Sequence, residues 1–76
     1  MTAPVELVHR QIGLRVESIR AALGINQADL AMRVGLSRAS IANIETGRQR
    51  LLMNVVEDLA RALGTTPKHL LKGIWT

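Results

Sequence analysis

The sequence contains no cysteine, phenylalanine or tyrosine, and its single tryptophan is Trp75. Without cysteine there can be no disulfide and no thiolate metal site, a composition that fits a cytoplasmic protein. With one aromatic side chain, the core has to be built from Leu, Ile, Val and Ala, which suits packed helices. No apolar run approaches the roughly 20 residues that a membrane-crossing helix needs. The first residues show no signal-peptide pattern, so no membrane partner is expected. His9 and His69 are far apart, and no Asp/Glu spacing makes a metal site with either, so both are read as surface residues. There is no Ser-His-Asp arrangement, no pair of catalytic carboxylates and no glycine-rich phosphate loop. An enzyme is not expected, nor a metal, a cofactor or a small-molecule ligand.

What is present is one small domain, residues 1–76, near the size at which burial only just stabilises a fold. Apolar residues make up 47% of it, enough to expect that some apolar surface is covered by a second copy. The net charge is +4 and eight of the ten basic residues are Arg, the side chain suited to two-pronged contacts with phosphate and guanine. Positive charge by itself fits nucleic acid or an anionic membrane equally. Its distribution is more informative, because Arg33, Arg38, Arg48 and Arg50 gather around one short block of the chain.

That block is bounded by helix signals. After Thr2 or Ala3 as a cap and Pro4 in a first turn, Val5, Val8, Ile12, Val16, Ile19 and Leu23 step three or four residues at a time. They predict a first helix to about Leu23, stopped by Gly24; Gly13 within it would allow another helix a close approach. Asn26 as N-cap with Asp29 three residues on opens a second helix, Gln27 to Val34, ended by Gly35. Ser37 caps a third, to about Thr46, and Gly47 closes it. Arg48, Gln49 and Arg50 form a basic loop. A fourth helix from near Leu52 carries Val55, Val56, Leu59 and Leu63 on one face, and Thr66–Pro67 start a short fifth, through about Lys72. The tail is 73–76. No strand, repeat or low-complexity segment is visible. The expected architecture is all-α, a compact five-helix bundle.

The second and third helices, with the tight turn between them, have the proportions of a helix-turn-helix, here about residues 27–46. From Gly13 to Gly47 the sequence GLRVESIRAALGINQADLAMRVGLSRASIANIETG resembles the phage-repressor and Cro type of helix-turn-helix domain, the xenobiotic-response-element family. A looser likeness runs through VVEDLARALGTTPKHLL to about Leu71. The marks are Arg20, Gln27, the Leu30–Ala31 pair, Gly35, Ile41 and the Glu45-x-Gly47 ending, in order and without gaps. The resemblance implies a lambda-repressor-like DNA-binding domain and an ion pair between Arg20 and Glu45. It also implies a phosphate-binding role for Gln27, whose place at a helix N-terminus already favours an anion.

Within this frame Ala31 is small where the third helix crosses the second, and Ile41 and Ile44 anchor the third helix from beneath. Ala39, Ala42, Asn43 and Thr46 point away from that anchor, with Arg38 and Ser40 at its flanks. Arg38, Ala39, Ser40 and Asn43 are therefore the candidate base contacts. Arg38 could clamp a guanine or bind a phosphate, and Asn43 could read adenine or bind a phosphate. Ala39 and Ala42 could pack on thymine methyls or simply let the helix approach. Gln27, Ser37, Thr46, Arg48 and Arg50 are candidate backbone contacts. Leu52, Met53, Ile74 and Trp75 are candidate dimer-interface residues, although Ile74 and Trp75 could instead fold back on the first helix.

The expected partners are double-stranded DNA and a second copy. The expected function is a transcriptional regulator, a repressor or autoregulator on a palindromic operator. With no residues left for an effector or switch domain, its control would come from abundance or a separate protein. A phage switch, a restriction-modification controller and an antitoxin are all compatible. The alternative is a protein-interaction module on the same fold, which the short side chains of Ala39 and Ala42 would suit.

Overall fold

The computed structural model describes residues 5–74, and among them the chain forms five helices and no strand: α1 (Val5–Ala22), α2 (Gln27–Val34), α3 (Arg38–Glu45), α4 (Met53–Ala62) and α5 (Pro67–Leu71). The expected cap at Thr2 or Ala3, Pro4 and Trp75 lie outside the described residues.

Helix starts follow the local sequence. Asn26 Oδ1 accepts the Asp29 N–H at 2.8 Å, Ser37 Oγ accepts the Ser40 N–H at 3.0 Å, and Thr66 Oγ1 accepts the His69 N–H at 3.2 Å. Each satisfies one of the donors that a helix start leaves without a partner. α4 has no such cap; Leu52 occupies the N-cap position without a side-chain bond. Gly35 ends α2 at φ +70°, and the chain doubles back so that the Leu36 N–H reaches the Ala31 carbonyl at 2.9 Å. That turn is what sets α3 across α2.

α1 packs on α3 and α5, α2 on α3 and α4, and α4 on α5, which closes the helices around one core. Val8, Ile12 and Val16 of α1 meet Leu30, Ile41, Ile44, Val56, Leu59, Leu63 and Leu70 there. Ala31 is buried at the α2–α3 crossing, as its size requires. Leu23 departs from the expected stripe: it lies beyond the end of α1, in the turn, and is exposed. Gly13 is buried under the end of α3, where the Ile44 and Glu45 carbonyls come down onto α1. Shortening the contact to backbone distance fixes the height of α3 above the core.

Candidate nucleic-acid interface

α3 buries Ile41, Ile44 and Glu45 and turns Arg38, Ala39, Asn43 and Thr46 to solvent, with Ser40 and Ala42 half-buried at the edges. Ala42, expected to point away from the core, is half-buried, whereas Arg38, expected at the flank, is exposed. Arg48 and Arg50 are exposed in the loop that follows it. Among the described residues the ion pairs are Arg20–Glu45 and Arg61–Asp58, and no carboxylate among them pairs with Arg38, Arg48 or Arg50.

Glu45 would spoil such a face if it were exposed. It is 2% exposed, and Arg20 grips it in a two-pronged pair, Nε to Oε2 at 2.6 Å and Nη2 to Oε1 at 3.0 Å. A third bond runs from Arg20 Nη1 to the Ile25 carbonyl at 2.9 Å. The hydrogen bond to Glu45 raises the Arg20 pKa above its ordinary value, against a smaller lowering by burial. The pair ties α1 to the end of α3 and removes the one carboxylate of α3 from the surface.

Gln27 stands half-buried beside this pair and donates Nε2 to Glu45 Oε1 at 3.0 Å. A primary amide has two N–H groups, so one remains without a partner among the described residues. The hydroxyls are more constrained. Ser37 Oγ, besides capping α3, donates to Ser40 Oγ at 3.1 Å, which leaves the Ser40 proton as the free donor of the two. Thr46 Oγ1 donates to the Ala42 carbonyl at 3.0 Å, so its proton is already used within α3.

Comparison with known proteins decides the family. A family model described as a helix-turn-helix domain matches residues 11–71. The chain belongs to that family. This helix-turn-helix chain is 37% identical over 62 residues to an uncharacterised transcriptional regulator from the ATPase CF(0) region of Rhodospirillum rubrum, a match covering 82% of this chain and 57% of that relative. It therefore spans a little over half of that relative's length. Among solved structures it is similar to the restriction-modification controller protein C.AhdI of Aeromonas hydrophila, at 31% identity and a TM-score of 0.78, covering 80% of this chain and 92% of that one. It is also similar to the P22 c2 repressor, solved in complex with a synthetic operator, at 34% identity and a TM-score of 0.75, covering 82% and 94%. The fold and family are those of DNA-binding regulators, which are not enzymes.

The bundle around the helix-turn-helix is also held by two α1 arginines whose partners the sequence does not reveal. Arg15 donates to the His69 and Leu70 carbonyls at 3.1 and 3.4 Å, capping the end of α5. Arg10 donates to the Thr46 carbonyl at 3.2 Å and so caps α3. Cations suit helix C-termini, but nothing in the sequence says which helix end a distant Arg will meet. His9, expected on the surface, is half-buried and accepts the Leu51 N–H at Nδ1 at 3.3 Å. His69 is exposed as expected.

Of the interface candidates, Leu52 and Met53 are 66% and 58% exposed. Ile74 is half-buried and folds back on the core, so only part of it stays available.

Proposed function

We propose that this chain is a sequence-specific transcriptional regulator, a repressor or autoregulator, that binds a roughly palindromic operator as a homodimer in the cytoplasm. In this reading residues 1–76 work as one DNA-binding domain. The observation that carries it is the α3 face: its exposed residues are basic, polar or small, and its one carboxylate, Glu45, is buried against Arg20. Such a face can enter a major groove without presenting negative charge to the phosphates. The similarity to a repressor solved on its operator supports the same reading.

Arg38, at the first turn of α3, takes the base-reading role, with Asn43 and Ser40 contributing hydrogen bonds and Ala39 lying close to the groove floor. Arg48, Arg50 and the free N–H of Gln27 bind backbone phosphates. Ser37 and Thr46 act there only if their hydroxyls turn away from Ser40 and Ala42. Leu52 and Met53 contribute the exposed apolar surface of the dimer contact, and Ile74 and Trp75 are the further candidates that the sequence offers for it. Two α3 helices then reach successive major grooves about one helical turn apart.

Salt titration tests the reading. Binding to a random-sequence duplex pool should weaken steeply with salt, with a log–log slope of about 0.9 per phosphate neutralised. A protein with no salt-sensitive DNA binding would instead be a protein-interaction module on this fold.

A further inference from the structure

The loop between α3 and α4 is fastened at its two ends by different parts of the molecule. At its start, Arg48 and Gln49 both donate their N–H to the Asn43 carbonyl, at 2.8 and 3.3 Å, so Arg48 leaves directly from α3. At its end, the Leu51 N–H donates to His9 Nδ1 at 3.3 Å, 42 positions back along the chain. The Leu51 side chain packs on the core beside that bond. Arg50 precedes this anchor directly and is exposed. The same turn of α1 also holds the beginning of the loop, through the Arg10 bond to the Thr46 carbonyl and the packing of Gly47 on the Arg10 backbone.

From this geometry we infer that His9 is a positioning residue for DNA binding: by holding the Leu51 amide it sets the direction in which Arg50 is presented to a phosphate, while Arg48 is set by α3. The inference rests on the reading of Arg50 as a phosphate contact. His9 touches no DNA in this scheme. It holds the Arg50 end of the loop in the one direction from which Arg50 reaches a phosphate, so that without the anchor the contact is not made and its counterion release is lost. His9 belongs to α1, outside the helix-turn-helix, and nothing about its place in the sequence marks it for this task.

The test is a set of binding measurements on a random-sequence duplex of about two helical turns, across a salt series, with folded fraction checked for each protein. His9→Ala should weaken binding roughly threefold to tenfold and lower the salt slope by about 0.9, the share of one phosphate contact. A loss of stability alone would leave the slope of the folded protein unmoved. His9→Asn, whose Oδ1 can stand where Nδ1 does, should recover most of the loss. In double variants, His9→Ala should cost nothing further once Arg50 is Ala, and should multiply with Arg48→Ala. The inference is overturned if the His9→Ala and Arg50→Ala losses multiply, or if His9→Ala leaves the slope at the parent value while Arg50→Ala lowers it. If Arg50→Ala itself leaves affinity and slope unchanged, the phosphate reading of Arg50 fails and takes the role of His9 with it.

Discussion

Gly13 of α1 lies directly beneath the backbone carbonyl of Ile44: a β-carbon at Gly13 would stand 2.1 Å from that oxygen and 2.9 Å from the carbonyl oxygen of Glu45. Both obstacles are main-chain atoms, which cannot swing aside as a side chain can. Close packing of this kind lets Arg20 of α1 reach Glu45 at the end of α3.

Gly13→Ala should therefore destabilise the fold even though Ala is the better helix former by about 1 kcal/mol. Overpacking should outweigh that gain and leave a net loss of about 2 kcal/mol. The midpoint of urea denaturation reads it, as a shift without a change in m. An unchanged or higher midpoint would mean that α3 can lift from α1 at little cost.

Glu45→Ala leaves the half-buried Arg20 guanidinium without its carboxylate and should cost about 2 kcal/mol. Arg20→Met/Glu45→Met should cost less than the sum of its two single changes, because neither charge is then stranded. The Arg20 pKa is raised in the folded state, so its contribution is complete below the ordinary guanidinium range and is lost only as pH rises through the raised value. The Arg20→Met penalty should consequently stay level between about pH 7 and pH 10 in chemical denaturation. A penalty that fades within that window would show that the arginine is not held charged by the pair.

Arg38→Ala and Arg48→Ala should both weaken DNA binding, in different ways. Loss of a two-pronged base contact costs about 1–3 kcal/mol of discrimination at one position of each half-site. Loss of a phosphate contact lowers affinity evenly across sequences. Selection of bound duplexes from a random pool separates them: the Arg38→Ala profile should relax at one position per half-site, and the Arg48→Ala profile should keep the parent's. Should Arg38→Ala retain every preference, the base-reading assignment moves to Asn43 and Ser40.

Leu52→Glu and Met53→Glu place a charge on exposed apolar surface, so the fold should tolerate them. In a dimer the same charges would be buried across the contact without partners. Sedimentation at micromolar concentration should report a dimer for the parent and a monomer for Leu52→Glu, with melting temperatures that differ little. A Leu52→Glu protein that stays dimeric would exclude this patch as the interface.

The parts of the site legible in the sequence are those made by neighbours. Asn26 with Asp29, Ser37 with Ser40 and Thr66 with His69 each join residues three apart, and each sits where the sequence placed it. The same locality made the α2–Gly35–α3 corner and the outward face of α3 readable. Leu23 misled because apolar spacing continues on paper past Ala22, where α1 ends and the turn leaves the Leu23 side chain exposed.

The sequence by itself thus determined the all-α class, the helix starts, the small residue at the α2–α3 crossing and the basic character of the block around α3. Those properties depend on backbone hydrogen bonding and apolar spacing within a few residues. Only the tertiary structure decided that Gln27 gives one N–H to Glu45, that Arg15 caps α5 and that His9 anchors Leu51, partners 18, 54 and 42 positions apart. Such bonds depend on how five short helices stack in space. A polar group on a helix meets whatever helix end the packing brings to it, and that end is set by the whole core rather than by its neighbours in the chain.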